Sequence, residues 1–202
     1  MTDIQDKKSD QIARALCEKI IRGELQPGEK LRQIAVSREY GVSHATVREA
    51  MLQLAAQGLT IVLPRRGMCV APLDRNAADE LKVMRQALEP VALAHSIPNL
   101  TKAQIAKADK IRLACDAAES ALDWEEANRM FHMAIISGCA MPRLTEEISN
   151  LQLLYARHFL AKHASNWKRR SDPDHLAIIL AIKDRDTHRA TAVLHRHLAR
   201  LS

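Results

Sequence analysis

Nine histidines in 202 residues raise the question of a metal, because neutral imidazole is a common ligand for Zn, Ni, Fe and Cu. Their spacing sorts them. Asn128 and His132 stand four apart, so a helix turns both to the same side. His175 shares a helical face with Ile179 and Ile182, and His197 shares one with Ala190, Leu194 and Leu201. A histidine in line with apolar residues points into a core. Three helices can therefore aim Asn128, His132, His175 and His197 at one point, as helix bundles do when they hold a metal. Histidines that are only hydrogen-bonded within a core give the same pattern. His158, His163, His188 and His195 have no inward-facing company.

A second group of polar residues suits a polyanion. Ser43, His44, Thr46 and Arg48 open one helical segment, whose opposite face is Val47, Ala50, Met51 and Leu54. Hydroxyls, imidazole and guanidinium are the groups that contact phosphates, and an arginine can also pair bidentately with guanine. Arg65 and Arg66, beside Gly67, place two cations on a turn suited to a minor groove or its phosphates.

The elements that position these groups follow from periodicity. Ile12, Leu16 and Ile20 mark a first helix, and a second runs from about Arg32 to Tyr40, ended by Gly41. Ser43 is the expected N-cap of a third, from His44 to about Gln57. Two short β-type runs, 59–62 and 68–71, flank the Arg65-Arg66-Gly67 turn. This order is the outline of a winged helix-turn-helix. From residue 76 onward every segment reads as helix. Leu81, Met84, Leu88 and Val91 stripe one, Thr101-x-x-Gln104 is a capping box for the next, and Asp123-x-x-Glu126 starts a third that ends near Gly138. Leu144, Ile148, Leu151 and Tyr155 stripe a fourth, Asp172-Pro173 opens a fifth, and Asp186 opens a sixth.

Composition agrees with a mostly α protein: 3% aromatic residues and six glycines argue against a sandwich or barrel. The expected architecture is an N-terminal winged helix-turn-helix over residues 1–73 and an all-α six-helix bundle over 74–202. No apolar run is long enough to span a membrane, and the polar N-terminus predicts a cytoplasmic protein. Four dispersed cysteines without a C-x-x-C pair read as thiols, not as a disulfide or zinc framework. A net charge of +6 is a modest excess that alone says little about a partner.

Two resemblances sharpen this reading. The segments Gly23-Glu24-Leu25-Gln26-Pro27-Gly28, Gly41-Val42-Ser43-x-x-Thr46-Val47-Arg48-Glu49-Ala50 and Pro64-x-Arg66-Gly67 resemble the DNA-binding domain of GntR-family bacterial transcription regulators. His44 stands where that family usually has Arg. Further on, Arg85-x-x-Leu88-Glu89, Asn128-x-x-Phe131-His132, Asp174-His175 and His197-Leu198 resemble the FCD effector domain of the FadR-type branch, in its shorter VanR-like form.

The resemblance implies a homodimer that binds a palindromic operator in double-stranded DNA and responds to a small organic acid. It further implies a divalent metal, Zn or Ni foremost, on Asn128, His132, His175 and His197. Asn128 occupies the family's Asp position, where an amide oxygen coordinates without bringing charge. Arg85 is the first-helix arginine that could pair with an effector carboxylate, or equally with Glu89 at i+4. Tyr155 and Arg157 are further effector candidates. The expectation is a regulator and not an enzyme; the rival reading is a metal-dependent hydrolase or metal-sensing protein using the same histidines.

Overall fold

The computed structural model describes residues 7–169 and 171–200. Contacts divide the chain between Asp74 and Arg75 into two compact units.

In the first unit, α1 (Lys8–Ile21) and α2 (Gln33–Tyr40) pack on α3 (His44–Ala56). Gly41 ends α2 at φ 63°, a left-handed conformation that costs glycine nothing and turns the chain into α3. Ser43 caps α3, its Oγ accepting the Thr46 backbone N–H at 3.2 Å. Val47, Ala50, Met51 and Leu54 are fully buried, as their spacing requires. The sheet holds β1 (Lys30–Leu31), β2 (Thr60–Leu63) and β3 (Gly67–Val70) in the order β1-β3-β2, all antiparallel. The β2–β3 hairpin is the wing expected from the sequence. β1 is a finding of the structure, since two residues are too few to show alternation.

The second unit contains six α-helices among the described residues: α4 (Arg75–Ser96), α5 (Lys102–Ala117), α6 (Ala121–Ile135), α7 (Pro142–His163), α8 (Pro173–Lys183) and α9 (Thr187–Ala199). α4 packs along α9 and α7, α5 along α6 and α8, and α8 along α9. Thr101 forms the complete capping box with Gln104 at the start of α5. Asp172 caps α8 and Asp186 caps α9. The start of α6 departs from expectation by about one turn. Ser120 is the cap, accepting the Asp123 N–H at 3.0 Å, and Asp123 is its partner three residues inside. Gly138 follows α6 where any Cβ would lie 2.6 Å from the Ser96 carbonyl oxygen, so a side chain there would force α4 and α6 apart.

One helix faces inward by a different stripe. In α4 the predicted apolar line fails at Met84 and Val91, which are 37% and 47% exposed. The buried line is instead Leu81, Arg85, Glu89, Ala92 and Ser96. Burying a charged pair is costly unless both members are paired and bonded. Here they are, and the bonding defines the site described next.

Candidate metal centre and nucleic-acid interface

On the first unit the polar side chains stand outward. His44 and Arg48 are exposed on α3, and Arg65, Arg66 and Gly67 are exposed at the wing tip. Ser43 and Thr46 are partly committed to structure, their hydroxyl oxygens 2.8 Å apart in one hydrogen bond. Arg65 holds a left-handed φ of 59°, which fixes the turn that carries both arginines. The sequence reading missed a groove between the start of α2 and β3. It brings Lys30, Arg32, Arg38 and Arg66 together. Three of these cations precede α3 and show no helical periodicity in common, which is why pattern alone did not group them.

In the second unit, His132 of α6, His175 of α8 and His197 of α9 converge. One ring nitrogen from each lies within 4.8 Å of the others, and all three residues are buried. The Nε2 atoms of His175 and His197 are 3.3 Å apart. Leu201, the last member of the predicted His197 stripe, lies outside the described residues. Two of the rings are held from behind. His132 Nδ1 lies 2.7 Å from Glu89 Oε2, and His197 Nδ1 lies 3.3 Å from Asp172 Oδ2. Burial alone would raise the Glu89 pKa, but the Arg85 guanidinium and His132 hold it down to about 2. An ionised carboxylate only accepts, so His132 Nδ1 carries the proton and donates it to Glu89. Its Nε2 has no hydrogen-bond partner and is the atom left for the cluster. Imidazole backed by carboxylate is the arrangement that orients metal-bound histidine.

Asn128, one turn before His132 on α6, is buried with its Oδ1 unpartnered. It also lines a tight cavity of about 10 Å³ together with Arg85, Glu125, Gln152 and Tyr155, closed on one side by Trp124 stacked on Phe159 at 4.9 Å. Arg85 donates from Nε to Glu89 Oε1 at 2.6 Å, and its guanidinium lies 5.2 Å from the Tyr155 ring centre. It is therefore both the partner of Glu89 and a wall of the cavity. Tyr155 lines the cavity as expected. Arg157, two residues along α7, is buried but is not part of that lining, because residues two apart on a helix face different ways. A second acidic cluster, Asp172 and Asp174 beside His197, is already occupied. Arg196 and Arg200 bond Asp174 at 2.5 and 3.2 Å.

Residues 80–200 match the sequence profile of the FCD domain, and residues 8–70 match that of bacterial regulatory proteins, gntR family. The HTH-type transcriptional repressor GlaR of Escherichia coli (strain K12) is 30% identical over 197 residues, covering 92% of this chain and 90% of GlaR. The chain belongs to the gntR family. It is a DNA-binding transcriptional regulator with an FCD domain, and not an enzyme. BphR of Paraburkholderia xenovorans (strain LB400), an HTH-type transcriptional regulator, is 31% identical over 191 residues, covering 89% of this chain and 77% of its own. Among solved structures, E. coli McbR/YncC superposes with a TM-score of 0.81 at 24% identity, covering 98% of each chain, and so shares the fold. A GntR regulator from Rhodococcus sp. RHA1 does likewise, with a TM-score of 0.77 at 23% identity over 95% of this chain and 94% of its own. No helix among the described residues is long and apolar enough to cross a membrane.

Within this gntR-family chain, sequence reasoning named the inner histidines but not the groups behind and beside them. Glu89 was weighed only as a partner for Arg85. Its second bond, to His132 on another helix, has no local signature. Asp172 was read as a cap and proves to face His197 as well. Glu125 and Gln152 carried no signal, being single polar residues within otherwise ordinary helices.

Proposed function

We propose that this regulator is controlled by a small carboxylate bound in the FCD bundle beside a divalent metal. The observation that carries this reading is the convergence of three buried histidine nitrogens, with the unpartnered oxygen of Asn128 one helical turn before His132. Buried acceptors without partners, here His132 Nε2 and Asn128 Oδ1, are costly, and a cation is one group that satisfies them. The donor set of three imidazoles and an amide oxygen suits Zn or Ni. His132, His175, His197 and Asn128 would hold the ion, which when bound supplies a Lewis-acidic point for an anionic ligand.

The chain's own residues do the rest. Glu89 fixes the tautomer of His132, and Asp172 orients His197. These two outer carboxylates supply the negative charge that Asn128 does not. Arg85 turns its guanidinium toward the adjoining cavity, where a carboxylate can pair with it. In the other unit, Arg48 and His44 read bases from the exposed start of α3. Arg65 and Arg66 on the wing, with Lys30, Arg32 and Arg38 beside α2, hold phosphates. A two-fold operator calls for a homodimer, each copy engaging one half-site. Among the described residues, the carboxylates beside the histidines, Glu89 and Asp172, each face a ring nitrogen, which disfavours the hydrolase alternative.

Elemental analysis of protein purified without chelator tests the metal, and a thermal-shift screen of organic acids on that protein tests the effector. The expected result is bound Zn, Ni or a similar ion and a raised melting temperature with mono- or dicarboxylates. Metal-free protein that also ignores zinc added in titration would overturn the reading.

A further inference from the structure

In the second unit, α5 and the end of α8 bound an open surface groove of about 540 Å³ that none of the histidines lines. Its floor is apolar: Ile105 is buried, Ala106 is exposed, and Leu113 is 55% exposed. Its rim is cationic, with Lys102 and Lys110 from α5, Lys183 from α8 and Arg185 from the turn that follows. Asp109 is the one acid in the lining, and it is already held by Lys183 Nζ at 2.7 Å and Arg112 Nε at 2.8 Å. Lys102 and Lys110 have no partner among the described residues. Arg185 donates to the Ile97 and Leu100 carbonyl oxygens, the latter at 2.6 Å. Those acceptors are neutral, so its charge stays uncompensated. They also anchor Arg185 at φ 58°, a left-handed conformation in which a helix more often ends on glycine.

We propose that this groove docks an acidic amphipathic helix of another protein. The apolar surface continues past the groove. Leu176 and Leu180 share the Lys183 side of α8 and are each 43% exposed, and α8 packs along α5. Leu113 and these two leucines make a strip edged by cations, longer than a small metabolite fills and suited to the apolar residues of a helix. A second copy docking by the same face would set these cations against themselves, because a two-fold contact pairs a patch with itself. Nucleic acid would satisfy the lysines but not the leucines, and the lining holds no aromatic ring on which a base could stack. An acidic helix answers both demands: its apolar residues cover the floor, and its carboxylates face Lys102, Lys110 and Arg185. The floor supplies the hold, and the charges select the partner.

The test is fluorescence anisotropy of the full-length protein with two labelled helical peptides that share leucines at i, i+3, i+4 and i+7. One carries glutamates on its flanks and the other lysines. The glutamate peptide binds about tenfold or more tightly than the lysine peptide, and the difference shrinks as salt is added. Lys102→Glu combined with Lys110→Glu reverses the preference. Leu113→Asp, at a position more than half exposed, keeps the melting temperature and weakens the glutamate peptide about tenfold or more. No binding of the glutamate peptide, equal binding of the two, or binding unaltered in Leu113→Asp would overturn the inference. So would displacement of the peptide by a DNA duplex, which would put it on the winged helix. A drop in mass of Leu113→Asp by analytical ultracentrifugation would give the groove to a second copy and overturn it too.

Discussion

The two units place their candidate functional polar groups in opposite environments. On the winged helix, His44, Arg48, Arg65 and Arg66 are exposed, and the inward face of α3 (Val47, Ala50, Met51 and Leu54) is apolar. In the helical bundle, Arg85, Glu89, Asn128, His132, His175 and His197 are all buried. Exposed charges keep their hydration, so the winged helix can change what it reads without disturbing how it folds. Buried charges must be paired, and each removal leaves a partner stranded. Function and stability are therefore separable in the first unit and linked in the second. The Arg85–Glu89–His132 chain shows why: one carboxylate neutralises a buried guanidinium and orients a buried imidazole at once.

That contrast is open to direct attack. The largest effect is expected from a pair of substitutions. His175→Ala removes the metal by elemental analysis and lowers the melting temperature. The loss is the linkage term of a ligand that binds only the folded state, about 2.7 kcal/mol at a hundredfold excess over Kd. Arg48→Ala weakens specific operator binding by about 1–3 kcal/mol if it reads a base, with an unchanged melting temperature. A melting shift in Arg48→Ala as large as in His175→Ala would break the contrast.

A finer test uses a residue that stands behind a proposed metal ligand. Glu89→Gln keeps the shape but removes the anionic acceptor behind His132, and is expected to weaken zinc affinity about 10–100-fold in competition titrations. Affinity unchanged in that variant would reduce Glu89 to a partner of Arg85 alone.

The smallest expected effect concerns a thiol. Burial, helped by the nearby Asp116 charge, pushes the Cys115 thiol up to about 12. A thiol raised above its ordinary value favours folding below about pH 9, and this contribution fades as pH climbs toward the folded value. Near pH 8, mass-spectrometric mapping after brief alkylation should find Cys115 unmodified and the half-buried Cys17 and Cys139 labelled first. Early labelling at Cys115 would show that the bundle opens more readily than its packing suggests.

How far the sequence carries the reader also differs between the units. The cap at Ser43, the stop at Gly41 and the apolar face of α3 follow from single residues whose roles are local, so the winged helix is legible apart from the two-residue β1. The bundle's helices are legible too, through Thr101, Asp172 and Asp186. Its interior is less so. The line of α4 was misread because periodicity counts apolar residues as buried and charged ones as exposed, and Arg85 and Glu89 reverse that through bonds to each other and to His132 on α6. His175 and His197 stand out because they fall in line with isoleucine, leucine and alanine, and His132 because Asn128 stands one turn before it. Gln152 does not, because an unsatisfied amide is visible only once its neighbours are in place.

The central claim is that an acid in the bundle changes the grip of the winged helix on DNA. Operator affinity measured by fluorescence anisotropy at fixed salt, with zinc-loaded protein, with and without a saturating small carboxylate, tests it most directly. A ligand that discriminates between two states of the protein shifts the Kd by the ratio of its affinities for them, typically about 5- to 150-fold. The account predicts such a shift in the wild-type protein and its loss in Arg85→Ala, which leaves the DNA-reading residues intact. An operator Kd that stays the same with saturating acid would contradict it.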